Sequence, residues 1–195
     1  MNGLMLFGDY FEDTEAIASL DVLLRAGENV KRVSVMNSLY VKTQCGSEYK
    51  CDLKLSEVNI EDFDYLVIPG GKASFNVLSA DERVGRLIDY FVLNNKLVAA
   101  ICAAPHLIGK RGYLKDREFT VFPGFEDECV GGIYKRDSGV IRDDKFVTAK
   151  SMYYSIEFAL EIINYLYGED KRNRVEKSLM GERWIMPFWH FCLHS

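Results

Sequence analysis

Five cysteines occur in this 195-residue chain, and one of them stands where a thiol can be made reactive. Leu97-Val-Ala-Ala-Ile101 is a continuous apolar run that ends at Cys102, and Ala103-Ala104-Pro105 opens a helical segment that runs through Lys110. A residue on so tight a passage from strand to helix has the geometry of a nucleophile elbow. Small residues at 99, 100, 103 and 104 permit the close packing such a turn needs, and Pro105 suits a first helical turn, where no N–H partner is missed. A thiol there feels the positive end of a helix dipole, which favours the thiolate. Taken alone, the same segment also describes a small buried cysteine, since free Cys is among the most buried residue types.

Two further segments have chemical potential. Pro69-Gly70-Gly71 follows the apolar run Tyr65–Ile68, and glycines at the carboxyl end of a strand free backbone N–H groups to face a ligand or an oxyanion. It is also simply a turn. Glu12 and Glu15 follow the first apolar run; acids in a first helical turn ordinarily complement the dipole, yet such a position also lies at the ligand face of an open α/β sheet. Asp21 shares the expected face of Ile17, Leu20 and Leu24 and reads as a partnered structural carboxylate.

The elements that must position these residues alternate. Leu4–Phe7 reads as a short buried strand, and Phe11–Ala26 as a helix with Ala16, Ile17, Leu20, Leu23 and Leu24 on one stripe, stopped by Gly27. Val30–Met36 alternates as a strand, and Asn37–Lys54 holds short strands. Tyr65–Ile68 and Leu97–Ile101 are buried strands, separated by an amphipathic helix, Asp81–Leu93, that turns Val84, Leu87, Ile88 and Phe91 inward. Phe119–Phe122, Gly132–Lys135 and Phe146–Thr148 look like strands, and Ser155–Leu166 like a helix carrying Ile156, Ala159, Leu160, Ile163 and Leu166. Strands buried on both faces and alternating with helices imply a mostly parallel α/β sheet. With no linker or repeat, one domain is expected, its core about 1–168 and a helical, aromatic tail about 169–195.

Composition narrows the function. With 48% hydrophobic and 27% charged residues, the chain is globular. Its net charge of −5 argues against nucleic-acid binding, which needs concentrated basic surface. No apolar stretch approaches a membrane span and no basic leader precedes Asp9, so a cytoplasmic protein without membrane contact is expected. Five scattered thiols with no Cys-x-x-Cys pair suit a reducing compartment and give no structural zinc site; no cofactor or metal is expected. The three histidines are His106, read as a surface or interface residue, and His190 and His194 in the tail. Trp184-Ile-Met-Pro-Phe-Trp-His-Phe-Cys-Leu193 is too aromatic to leave in water, so the tail is expected to pack on its own core or on a partner subunit.

In order and spacing, Glu12-Asp-Thr-Glu15, Leu23-Leu-Arg-Ala-Gly27, Asp64-Tyr-Leu-Val-Ile-Pro-Gly-Gly71, Ala99-Ala-Ile-Cys-Ala-Ala-Pro105 and Glu157-Phe-Ala-Leu160 resemble the ThiJ/PfpI family, in its protein-deglycase (DJ-one-like) branch. The resemblance implies a flavodoxin-like three-layer α/β sandwich that usually dimerises. It also implies a nucleophilic, oxidation-sensitive Cys102 paired with Glu15, and an oxyanion hole from the N–H groups of Gly71 and Ala103. The activity implied by the resemblance is glyoxalase- or deglycase-like action on α-oxoaldehydes or their adducts, with a small aldehyde or an oxidant as the molecule met. A non-catalytic redox sensor or chaperone-like protein that uses oxidation of Cys102 is the alternative.

The departures bear on chemistry. Ala103 follows the cysteine where protease-like relatives have His, which disfavours hydrolase or peptidase activity. Phe122-Pro123 replaces a family His-Pro, and Ala149-Lys150-Ser151-Met152-Tyr153 replaces Ser-Arg-Gly-Pro-Gly. Lys150 keeps the charge of that arginine without its fork geometry. The elbow is expected to be strained at Cys102. The Glu15 carboxyl is expected within about 2.6–3.5 Å of the sulfur, carrying a proton, because an unshared carboxylate would raise the thiol pKa.

Overall fold

The computed structural model describes residues 1–182. Its elements run β1 (Asn2–Phe7), α1 (Asp13–Arg25), β2 (Asn29–Ser34), β3 (Tyr40–Lys42), β4 (Glu48–Lys50), β5 (Leu53–Lys54), β6 (Tyr65–Ile68), α2 (Lys72–Asn76), α3 (Glu82–Leu93), β7 (Leu97–Ile101) and α4 (Pro105–Gly109). They continue with β8 (Glu118–Phe119), β9 (Ile133–Tyr134), β10 (Val140–Asp143), β11 (Phe146–Ala149), α5 (Ser155–Tyr167) and α6 (Glu169–Leu179).

The main sheet has the order β10-β11-β7-β6-β1-β2-β5. Every pairing in it is parallel except β10 with β11. The side-chain period of two sorts each strand into two cores. Met5 and Phe7 of β1 join Val67, Ala99 and Ile101 on one face, under α1 and α5; Leu4 and Leu6 join Leu66, Ile68, Val98 and Ala100 on the other, under α3 and α4. Both faces of the strands are therefore dry, which is why these runs are apolar without alternation. The result is a three-layer α/β sandwich. From β1 the chain moves outward through β2 to β5, then returns to lay β6, β7 and β11 on the other side. The reversal lies between β1 and β6, and crevices at such switch points, at the carboxyl ends of the strands, are where open α/β sheets bind ligands.

The helices follow their local signals with one correction. α3 is capped by Asp81, whose carboxylate accepts from Arg83 N at 2.9 Å, and it buries Val84, Leu87, Ile88 and Phe91 as its spacing predicts. α1 is rotated from the expected stripe. It buries Glu15, Ala16, Ser19, Leu20, Val22 and Leu23, whereas Ile17 and Leu24 are exposed. The helix packs on the sheet and on α5 at once, with Ser19 Oγ donating to the Ser155 carbonyl at 3.4 Å; this centres the buried arc on Ala16, Leu20 and Leu23. Asp21 consequently faces out and pairs with Arg25 at 2.8 Å, one helical turn on. Ile156, expected inward on α5, is also half exposed.

Two strands are shorter than expected, and of 132–135 only Ile133–Tyr134 is strand. Of the 119–122 run only Phe119 is strand, with Glu118 in β8, because the later residues bond elsewhere: Thr120 N donates to Thr148 Oγ1 at 3.0 Å and Phe122 N to the Cys102 carbonyl at 2.8 Å. Gly168 breaks the chain at φ 84, and α6 follows with Val175 buried in the core shared by α1 and α5. The aromatic stretch from Trp184, Cys192, His190 and His194 lie outside the described residues. Among the described residues no helix is long and apolar enough to cross a membrane.

Candidate active site

Cys102 lies in the junction between β7 and α4, with φ 63, a left-handed conformation that costs a non-glycine residue about 1–2 kcal/mol. Two backbone hydrogen bonds hold it there: its N–H donates to the Ala149 carbonyl at the end of β11, and its carbonyl accepts from Phe122 N, both at 2.8 Å. The side chain is half-buried. This is the strained elbow the sequence predicts, although α4 is a short helix and its dipole correspondingly small.

Glu15 comes from the first turn of α1 and is only 1% exposed. Glu12 caps the helix by accepting from Glu15 N at 2.6 Å, so the first acid orients the backbone that carries the second. The Glu15 carboxyl points into the sheet's switch point. There Oε2 accepts from Gly70 N at 2.9 Å, while Oε1 is buried with no hydrogen-bond partner among the described residues. Its side chain interacts with that of Cys102. Burial, reinforced by the charge of Glu12, raises the Glu15 pKa to about 7. The carboxyl thus keeps a proton in a substantial fraction of molecules near neutral pH and can donate it toward the sulfur.

Burial is also the largest influence on Cys102, and it pushes the thiol up; the Glu15 charge pushes the same way, and the N–H groups of Gly71 and Ala103 oppose them. The shift runs against the lowering expected from the helix dipole. Protonating Glu15 removes that repulsion and leaves burial opposed by the two amides. Of the other described thiols, Cys51 and Cys129 are pushed by burial to about 12, and Asp13 raises exposed Cys45.

The two glycines after β6 are needed for different reasons. Gly71 has φ 79, and a Cβ there would lie 2.4 Å from Glu12 N. At Gly70 a Cβ would lie 2.6 Å from the Cys102 Cβ and 2.7 Å from Glu15 Oε2. Cysteine and carboxyl can converge only because position 70 has no side chain. The Gly-Gly pair is visible in the sequence as a source of N–H groups; that Gly70, rather than Gly71, holds Glu15 is not.

The four residues expected from the sequence therefore meet. They open onto a cavity of about 400 Å³ lined also by Glu12, Gln44, Lys72, Phe75, Phe122 and Phe125, with Ser151 and Met152 at its margin. Phe75, Phe125 and Gln44 carry no signal in the sequence. Lys150 does not line the cavity. His106, expected at a surface or interface, is fully buried: its Nδ1 bonds the Ala103 carbonyl at 2.6 Å, and Phe125 covers the ring at 5.4 Å. Burial lowers its pKa, so it sits neutral beneath the elbow.

Comparison with known proteins gives the family and the fold. The DJ-1/PfpI family model matches residues 2–165. The chain is 31% identical over 180 residues to protein dj-1beta of Drosophila melanogaster, covering 92% of this chain and 96% of that one. It is 32% identical over 169 residues to the glutathione-independent glyoxalase DJR-1.2 of Caenorhabditis elegans, covering 86% and 89%. The solved structure of oxidised Toxoplasma gondii DJ-1 superposes with a TM-score of 0.86 at 28% identity, over 92% of this chain and 97% of that one.

Proposed function

Because the chain belongs to the DJ-1/PfpI family, we propose that it is a cysteine-dependent protein of glyoxalase or deglycase type, acting on α-oxoaldehydes or their adducts through Cys102 and Glu15. The thiolate adds to the aldehyde carbon and the oxygen takes the proton held by Glu15, forming a hemithioacetal and leaving Glu15 as carboxylate. Glu15 then removes the proton from that carbon and returns one to the neighbouring carbon as its ketone is reduced, leaving a 2-hydroxyacyl thioester. Water cleaves the thioester, releasing a 2-hydroxy acid and the thiol. The carbonyl pair is oxidised at one carbon and reduced at the next, so no external redox partner enters. The amides of Gly71 and Ala103 would stabilise the developing oxyanion.

The observation that carries this reading is the buried Glu15 carboxyl, fixed by Gly70 N at 2.9 Å and facing the Cys102 side chain at the floor of a cavity. With Phe122 at the position of the family imidazole, turnover should be slow. Loss of methylglyoxal and formation of lactate, followed for wild type, Cys102→Ala and Glu15→Gln, test it. Both variants should lose roughly 100-fold or more in rate; a Cys102→Ala protein that still turns over methylglyoxal overturns the reading.

The unpartnered Glu15 Oε1 favours a second role. Two peroxide molecules would each deliver one oxygen to the Cys102 sulfur and leave as water, and the resulting sulfinate would accept from a protonated Oε1. Mass spectrometry after mild peroxide should find two added oxygens on Cys102 before Cys45, Cys51, Cys129 or Cys192 changes. If another cysteine reacts first, this role fails. A cytoplasmic homodimer completes the proposal, and sedimentation of the purified protein checks its mass.

A further inference from the structure

Much of the wall around Cys102 and Glu15 is aromatic and poorly covered. Phe75 is 42% exposed, Phe122 44% and Met152 50%, large apolar surfaces that water does not favour. Phe75 of α2 and Phe125 lie with ring centroids 5.4 Å apart at 35°, and Phe125 rests in turn on the buried His106 ring at 5.4 Å and 37°. This tilted series gives the wall a firm backing. Phe122 is fixed separately, since its own N–H holds the Cys102 carbonyl at 2.8 Å. An aromatic face is thereby tied to the residue that would carry the acyl group.

Charge at the rim is balanced rather than directed. Glu12 and Lys72 both border the cavity, and the Gln44 carbonyl oxygen is occupied by Lys72 N at 3.2 Å. The cavity, at about 400 Å³, falls in the range of roughly 300–1,000 Å³ that holds ring-sized organic ligands. A three-carbon aldehyde would leave much of it unfilled and the three phenylalanines uncovered.

Resting on the glyoxalase-type reading above, we infer that the site selects α-oxoaldehydes bearing a neutral aromatic or bulky apolar substituent, with Phe75 and Phe122 as the specificity-determining residues. The dicarbonyl end meets Cys102 and the amides of Gly71 and Ala103, and the substituent covers the rings.

Phenylglyoxal and methylglyoxal are compared as kcat/KM in wild type, Phe75→Ala and Phe122→Ala, with Cys102→Ala as the chemical control. The ratio of the two rates with a simple free thiol corrects for intrinsic reactivity. Wild type should prefer phenylglyoxal by roughly tenfold or more beyond that ratio, the range a hydrophobic pocket supplies. The preference should collapse in either phenylalanine variant, mainly through KM. A corrected ratio near one, or one that survives both substitutions, overturns the inference. Binding of the product acids to Cys102→Ala, read by calorimetry, keeps the question separate from catalysis: mandelate should bind roughly tenfold tighter than lactate. If no dicarbonyl is turned over yet mandelate is preferred, the catalytic reading falls and the aromatic selectivity stands. If lactate binds as well as mandelate, the selectivity falls whatever the turnover.

Discussion

A methyl group added at Gly70 would have nowhere to go. Its Cβ would lie 2.6 Å from the Cys102 Cβ, 2.7 Å from Glu15 Oε2 and 2.9 Å from the Ile101 carbonyl oxygen. None of these is the free end of a flexible side chain: one is pinned to a strained backbone, one is bonded to Gly70 itself, and one belongs to β7. Gly70 is not among the positive-φ glycines, so alanine meets no backbone penalty and the cost is contact alone. Overpacking of this kind typically costs about 1–3 kcal/mol, and the stiffer unfolded chain returns about 0.4–1 kcal/mol. A net loss of about 1–2 kcal/mol should lower Tm by roughly 2–8 °C in a domain of this size. The larger effect should be on chemistry, because a shift near 1 Å between reacting groups can cost roughly 100-fold in rate. Gly112→Ala is the control. It has φ +78 with nothing within 4 Å of an added Cβ, so it should lose about 1–2 kcal/mol through its backbone and keep full turnover. Melting followed by circular dichroism and methylglyoxal turnover are measured on both. Gly70→Ala protein that melts within about 1 °C of wild type and retains turnover would refute the close-approach argument.

Glu15 should also make stability depend on pH. Its pKa rises from 4.5 to about 7 on folding, so between these values the folded protein holds a proton that the unfolded chain has released. The stabilisation is complete below about pH 4.5 and is lost as pH rises through about 7, amounting to about 3 kcal/mol. Urea titrations at pH 5 and pH 8 should show this slope in wild type and a flatter one in Glu15→Gln; equal slopes would refute it. Replacing His106 by Leu removes the ring donor to the Ala103 carbonyl, which keeps the His106 backbone N–H at 3.1 Å, and should cost about 0.5–1.5 kcal/mol, part of it recovered by His106→Asn, which keeps a side-chain N–H in reach. A Leu variant as stable as wild type would show that the 2.6 Å contact contributes nothing.

What can be read from the sequence is local. Continuous apolar runs such as Tyr65–Ile68 and Leu97–Ile101 read directly as buried parallel strands, and the spacing of Val84, Leu87, Ile88 and Phe91 sets the inward face of α3. Cys102, Glu15, Gly71 and Ala103 sit in short motifs next to strand ends, and the family resemblance of those motifs implies their convergence. What escapes depends on parts of the chain meeting across the fold. The rotation of α1 away from Ile17 and Leu24 is imposed by α5. The burial of His106 needs Phe125 over its ring and the elbow's own carbonyl as partner. The role of Gly70 appears only when β1 and β6 lie side by side, bringing Glu15 to a residue 55 positions away.

Both backbone anchors of Cys102, the Phe122 N–H and the Ala149 carbonyl, are encoded after it. A chain leaving the ribosome has made β1, β2, β6 and β7 by the time Cys102 emerges, but neither anchor exists. Until β11 docks beside β7, the cysteine is free to relax from its left-handed conformation and is an ordinary thiol. The strained elbow is thereby assembled only with the last parallel strand. A prematurely terminated fragment ending before Ala149 would carry the cysteine without the elbow.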